Sequence, residues 1–136
     1  MFLQFFCACN NKENDKEAAA SENDVDAARN FIRSALDGNY SKAKSFMLRD
    51  SLNTQLIDAY ENNYQQRMNK EDKRGYRESS INIHDVHQVN DSVTVVNYSN
   101  SYMKKNDSLK VVRQNGQWLV DFKYSFPRSG PDGRVH

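Results

Sequence analysis

Both cysteines of the chain, Cys7 and Cys9, lie among its first nine residues, and no cysteine follows from Asn10 to His136. Two cysteines separated by one residue cannot staple distant segments, because a disulfide needs a specific approach of two Cα atoms and side chains. A zinc site of the paired-cysteine kind would need a second pair, which the sequence lacks. The chain must therefore fold on a hydrophobic core alone.

The composition is compatible with one domain that has such a core. The 136 residues include seven Phe, seven Tyr and one Trp, and the formal net charge is only +1. Disordered chains combine few aromatic residues with a high net charge, so this chain is not one of them. The nearly balanced charge gives no overall attraction to nucleic acid, and no nucleic-acid partner is expected. No apolar run approaches the roughly 18 residues that a transmembrane helix needs.

The N-terminal region changes composition abruptly after Cys9. Residues 1–9 are apolar except for Gln4, whereas residues 10–24 carry five acidic and two basic side chains and no large apolar residue. An apolar run followed by small residues and a polar segment is typical of a processed targeting sequence. The alternative is that residues 1–9 are a frayed or packed apolar terminus.

In detail, Phe6-Cys7-Ala8-Cys9 resembles a bacterial lipobox, with a large apolar residue three positions before the modified cysteine and a small residue directly before it. It departs from the usual pattern in having Phe instead of Leu and in lacking a preceding basic region. The resemblance implies a signal segment over residues 1–9 and lipidation of Cys9. Residues 10–23 would then be a flexible acidic tether, and the protein would be held at a membrane of the bacterial cell envelope, as an outer-membrane lipoprotein.

Residues 24–69 have helical periodicity. Apolar residues recur on one stripe from Val25 to Leu36, and Gly38 supplies a left-handed stop. Asn39 is a good N-cap for a second helix, and Ser51 can cap a third. Residues 70–75 are expected to break the helical pattern. The predicted helices start at Asp24, extend from Tyr40 to about Leu48, and extend from Ser51 to about Asn69.

Four strands are predicted after residue 75. Asn115-Gly116 is the strongest hairpin signal, because both central positions of a type I′ turn need positive φ. In the last strand Trp118, Val120 and Phe122 alternate with polar residues such as Asp121, which is therefore expected on the solvent face. The strands span about Tyr76 to Val89, Ser92 to Met103, Leu109 to Gln114, and Trp118 to Phe126. Helices followed by an antiparallel meander predict an α+β domain over residues 24–126, with a loose tail over residues 127–136.

Two stretches, 27–44 and 109–121, resemble the opening and closing motifs of small lipoproteins with a nuclear-transport-factor-2-like, or cystatin-like, domain. The resemblance implies a cone-shaped fold in which N-terminal helices pack on a curved antiparallel sheet of about four strands. Members of this family are largely of unknown function, and some carry a lumazine-binding label. Related cone-shaped domains include isomerases, dehydratases, ligand binders and interaction modules, so the fold does not determine the function.

Enzymes with cone-shaped domains typically place an acid or a histidine inside the cone. If Ile81 and Ile83 face the core, alternation places Asp85 and His87 inward and His84 outward. A general-base role for Asp85 or His87 is one interpretation, and a position in water near a strand end is the other. His84 and His87 would lie on opposite faces, so we predict no metal site, and we predict no cofactor.

Several tyrosines are candidates for a pocket mouth, since a phenol combines an apolar body with a polar tip. The alternative is that they pack in the core with their hydroxyls in water. A basic cluster precedes the strands and would contact lipid headgroups or an anionic polymer, or would form a solvated helix end. The candidate pocket residues are Tyr60, Tyr64, Asp85, His87 and Tyr98, and the basic cluster is Arg67, Lys70, Lys73, Arg74 and Arg77.

The sequence thus favours a lipid-anchored envelope protein whose domain binds or scaffolds without catalysis. Its partners would be the membrane and an unknown small ligand or envelope protein. The alternative is a small-molecule-binding or isomerase-like or dehydratase-like enzyme that uses the interior of the cone. A homodimer through the open sheet face is common in this class of fold, although the polar residues expected there give no clear interface.

Overall fold

The computed structural model describes residues 20–126. The predicted signal segment with Cys7 and Cys9, most of the tether and the C-terminal tail lie outside this range. Lipidation of Cys9 therefore stays a prediction.

Within residues 20–126, four helices precede the sheet, and each is capped by an asparagine or aspartate. The side chains of Asn23, Asn39, Asp50 and Asn69 each accept a hydrogen bond from the backbone N–H three residues later. This is the N-cap arrangement that satisfies an otherwise unpaired donor at a helix start. The predicted cap at Asn39 is confirmed, whereas the third helix is capped by Asp50 and not by Ser51. The helices are α1 (Asp24–Leu36), α2 (Tyr40–Ser45), α3 (Ser51–Gln66) and α4 (Lys70–Arg77).

Helix α4 contradicts the prediction that residues 70–75 break the helical pattern. It contains no buried residue, so its sequence has no apolar stripe that periodicity could detect. Acidic Glu71 and Asp72 lie in its first turn and basic residues in its last, an arrangement that complements the helix dipole. The Arg33 guanidinium of α1 donates hydrogen bonds to the carbonyl oxygens of Arg77 (3.0 Å) and Ser79 (2.8 Å) and so holds the end of α4.

The sheet is a four-stranded antiparallel meander in the order β1-β2-β3-β4, which confirms the α+β class. Asn115 and Gly116 have φ of 51° and 78°, as the predicted type I′ turn requires. The first strand begins at Ile81 rather than Tyr76, because Tyr76 belongs to α4. The strands are β1 (Ile81–Asn90), β2 (Val93–Asn100), β3 (Asp107–Gln114) and β4 (Gln117–Asp121).

The last strand is shorter than predicted, since residues Phe122–Ser125 form a 3₁₀ helix. The expectation that Asp121 faces solvent is wrong, because this residue is only 7% exposed. The amide of Asn53, near the start of α3, donates to Asp121 Oδ1 over 3.0 Å, and Lys123 Nζ lies 2.7 Å from the same oxygen. Helix α3 thus covers a position that strand alternation alone would leave in water.

The core lies between α1 and the inner face of the sheet. Its fully buried members include Ala27 and Ala28 of α1, Ile57 of α3, and Val96 and Val111 of the sheet. The hydroxyl of Thr94 donates to Asp24 Oδ2 over 2.7 Å and joins the start of α1 to β2. Between residues 20 and 126 no helix is both long and apolar enough to cross a membrane.

Candidate functional site

A cavity of about 390 Å³ lies between the helices and the sheet. This volume falls within the roughly 300–1,000 Å³ typical of small-molecule sites. Its walls are dominated by aromatic rings from α1, α2, α3, α4, β2 and the segment after β4. The aromatic lining residues are Phe31, Tyr40, Tyr60, Tyr64, Tyr76, Tyr98, Phe122 and Phe126.

Three of the predicted pocket residues, Tyr60, Tyr64 and Tyr98, line this cavity. Tyr60 and Tyr64 lie one turn apart on α3, and Tyr98 lies on the inner face of β2 opposite Ile83. The helix and the strand therefore direct these three side chains towards the same cavity.

Asp85 and His87 do not line the cavity, and the parity argument that placed them inward fails. The pairing of β1 with β2 shifts register between Ile83 and Asp85, as at a β-bulge. After the shift Val86 is paired with the buried Val96, so even-numbered residues take the inner positions. Both Asp85 and His87 are exposed.

Ring packing holds the aromatic walls in place. Tyr60, Phe122 and Phe126 stand nearly perpendicular to one another, with ring centroids 5.0–5.6 Å apart. Tyr40 and Tyr64 form another edge-to-face pair at 5.7 Å. Such geometries are favourable beyond the area that they bury, so the shape of the cavity is largely preformed.

Burial raises the pKa values of Tyr40, Tyr60 and Tyr98, so these three hydroxyls are neutral near pH 7. Burial, followed by the neighbouring Tyr64, raises the pKa of Tyr40 to about 12. Burial, followed by the negative charge of Asp107, raises the pKa values of Tyr60 and Tyr98. Neutral phenols can both donate and accept a hydrogen bond, so they suit a polar group on an otherwise apolar ligand.

The hydroxyls of Tyr40, Tyr60 and Tyr64 have no hydrogen-bond partner among residues 20–126. In the same range no fully buried side-chain nitrogen or oxygen lacks a partner. These three hydroxyls therefore remain in contact with the cavity or with solvent, where a ligand can reach them.

Five polar residues of the cavity were missed by the sequence reasoning: Asn63, Asn100, Lys105, Asp107 and Ser125. Asp107 lies outside the predicted strands, but it begins β3 and pairs with Tyr98. Only the register between β2 and β3 brings this carboxyl group to the cavity. Neither the residue types nor the local periodicity of the sequence indicates that Asp107 lies at the cavity.

The basic cluster lies at the end of α3 and along α4, as a charged surface beside the cavity. Lys73 Nζ is 4.6 Å from the centroid of the Tyr64 ring, a cation–π distance. The neighbouring Asp72 accepts a hydrogen bond of 2.6 Å from the Tyr102 hydroxyl. Lys73 and Asp72 therefore each contact an aromatic residue of the adjoining wall or loop.

The chemistry that this cavity offers is recognition of an apolar body by aromatic rings, with hydroxyl, amide and carboxylate groups to orient it. Within residues 20–126 no group of three or more histidine, cysteine or acidic side chains is arranged to hold a metal ion. Comparison of the chain with protein-family models, with curated proteins and with solved structures finds no match.

Proposed function

We propose that the domain binds a small molecule with an apolar, ring-containing body in the aromatic cavity and does not transform it. The observation that carries this proposal is the 390 Å³ space whose aromatic walls present phenol hydroxyls with no partner among residues 20–126. Small-molecule sites combine mainly apolar walls with a few convergent polar groups, and this cavity has that composition.

The positions of the histidines and the raised pKa values of the buried phenols support binding rather than acid–base catalysis by these groups. Both histidines of the described range, His84 and His87, lie outside the cavity, and the Nε2 atom of His84 is 2.8 Å from Ser99 Oγ. Tyr40, Tyr60 and Tyr98 have raised pKa values and are poor bases at neutral pH. A general base needs a pKa near the working pH, which these phenols do not have.

A fragment titration tests the binding proposal. We expect 2-phenylethanol to give saturable NMR shifts of the cavity tyrosines, with a dissociation constant on the order of 1 mM, as befits a fragment of this size. Asn63→Trp should weaken this binding, since Asn63 is an exposed residue at the cavity and an indole there would fill part of it.

The matched control is Asn62→Trp, which changes the neighbouring exposed asparagine of α3 that does not line the cavity. It should bind 2-phenylethanol as the unmodified chain does. Absence of saturable shifts in the unmodified chain, or equal effects of the two tryptophan variants, would refute the proposed site.

We also propose that the domain is anchored to the bacterial envelope through a lipidated Cys9. The support is the lipobox-like Phe6-Cys7-Ala8-Cys9 followed by a polar acidic tether. In metabolic labelling with a palmitate analogue, the chain with the original sequence and Cys7→Ala should both become labelled, whereas Cys9→Ala should not. Labelling that persists in Cys9→Ala, or is absent from all three, would contradict lipidation at this residue.

For the fold, we propose the cone-shaped, nuclear-transport-factor-2-like arrangement. The order of elements supports it, because helices precede an antiparallel meander and a cavity lies between them. An experimental structure with a sheet that curves around the cavity would agree with this assignment, and a flat sheet would contradict it.

A further inference from the structure

Asp107 is the acidic residue at the cavity, and no cation of the described range neutralises it. It begins β3 directly opposite Tyr98 of β2. Its Oδ1 atom accepts a hydrogen bond of 2.8 Å from the backbone N–H of Ser108. The ion pairs between residues 20 and 126 do not include Asp107. A carboxylate without a counterion is thus placed at the wall of an aromatic space.

The charge of Asp107 acts inside the cavity. After burial, it is the largest cause of the raised pKa values of Tyr60 and Tyr98, so it opposes a negative charge at both rings. Lys105 also lines the cavity, but its side chain is exposed and it forms no ion pair with Asp107. Neither tyrosine pKa shift has Lys105 among its causes. Among the charged side chains, Asp107 therefore acts most strongly on these two rings.

The aromatic walls act in the same direction, because the face of an aromatic ring carries partial negative charge and attracts cations. The nearly perpendicular rings of Tyr60, Phe122 and Phe126 present faces in different directions. The chain already uses one cavity ring in this way, since the Lys73 ammonium lies over Tyr64.

We propose that the ligand of this cavity is an organic cation, an amine or quaternary ammonium group on an apolar body, with Asp107 as its counterion. The inference rests on the proposed binding function and adds the charge of the ligand. The cationic group lies near Asp107 and the faces of Tyr60 and Tyr98, while the apolar body occupies the remaining aromatic space.

Three probes that share one ring test the charge separately from binding. Benzyltrimethylammonium is cationic, 2-phenylethanol is neutral and phenylacetate is anionic. We expect the cation to bind about three- to tenfold more tightly than the neutral probe, a range that reflects an exposed carboxylate together with ring faces. Phenylacetate should bind more weakly than either, and added salt should reduce the advantage of the cation.

The variant Asp107→Asn removes the charge and keeps an oxygen that can accept from Ser108. It should bind 2-phenylethanol normally and lose most of the preference for benzyltrimethylammonium. Asp85→Asn is the matched control, because Asp85 is an exposed carboxylate of β1 that does not line the cavity. It should retain the full preference.

The outcomes separate the two proposals. Equal affinity for the three probes, tightest binding of phenylacetate, or a preference that survives Asp107→Asn would overturn the cationic ligand and leave the binding function standing. Failure of all three probes to bind the unmodified chain would overturn both.

Discussion

Replacing Asn53 by alanine should remove a buried side chain that forms hydrogen bonds to three segments of the chain. Asn53 is 0% exposed. Its Nδ2 group donates to the Leu48 carbonyl oxygen (3.1 Å) and to Asp121 Oδ1 (3.0 Å), and its Oδ1 atom accepts from the Lys123 N–H (2.7 Å). One side chain thus joins the start of α3 to the end of β4 and to the 3₁₀ helix.

The expected loss in the free energy of unfolding follows from the polar groups that lose Asn53 as a hydrogen-bond partner in Asn53→Ala. Asp121 retains Lys123 Nζ at 2.7 Å, but the Lys123 N–H and the Leu48 carbonyl lose their contacts with the Asn53 amide. An unsatisfied buried polar group costs about 1–3 kcal/mol, and alanine returns a few tenths through its helix propensity. We therefore expect a loss of about 2–4 kcal/mol, a large part of the roughly 5–15 kcal/mol that stabilises a typical domain.

Urea unfolding measures this loss of stability. The transition is monitored by far-ultraviolet circular dichroism and by the fluorescence of Trp118, the single tryptophan. Agreement of the two probes would support a two-state transition. The matched control is Asn62→Ala, at an exposed residue of the same helix, which should be neutral or slightly stabilising. A cost below about 1 kcal/mol for Asn53→Ala would refute the network as a source of stability, because one lost hydrogen bond alone accounts for that much.

Three further outcomes are expected. Gly38→Ala should cost about 3 kcal/mol in urea unfolding, because φ is +77° there and a Cβ atom would collide with the Tyr64 ring. Gly116→Ala, with φ of +78° and open space, should cost only about 1 kcal/mol, and equal costs would refute the collision. The pKa of Tyr40 rises from 10.0 to about 12 on folding. The protonated phenol therefore adds to the free energy of unfolding in full below pH 10, and this contribution is lost as the pH rises towards 12. In Tyr40→Phe the free energy of unfolding, measured with urea, should decline less between pH 10 and pH 12. An unchanged decline would contradict the raised pKa of Tyr40.

Local chemistry was sufficient to predict the main elements of the fold. Asn39 has a short polar side chain before a helical stretch, and Asn115-Gly116 accommodates two positive φ values, so each element follows from its own residues. The α+β class followed from the change of periodicity after residue 75. Helix α4 was missed for the converse reason, since its stability comes from the Asn69 cap, from end charges and from Arg33, none of which produces an apolar stripe.

The candidate site was predictable only where side-chain spacing alone decides direction. Tyr60 and Tyr64 share one face of a helix, Tyr98 lies on the inner face of β2, and all three line the cavity. For Asp85 and His87 strand alternation failed, because the register shift after Ile83 reverses the faces of the residues that follow it, up to the next shift after Gln88. Such a shift is fixed by pairing with a partner strand, which short-range patterns do not contain.

Asp107 and Asp121 show how far the surroundings, rather than the local sequence, determine the role of a residue. Each is an aspartate at the end of a strand, and each has a lysine two positions away in the chain, Lys105 and Lys123. Asp121 is buried and bound by Lys123 and Asn53, because the start of α3 closes over it. Asp107 is exposed beside an aromatic cavity and has no ion pair among the described residues. A carboxylate whose interactions are already satisfied stabilises the fold, whereas one that keeps its charge unpaired at a cavity is available to a ligand. The difference depends on where α3 begins relative to the sheet, and this is why the ligand proposal rests on Asp107 and the stability prediction on the partners of Asp121.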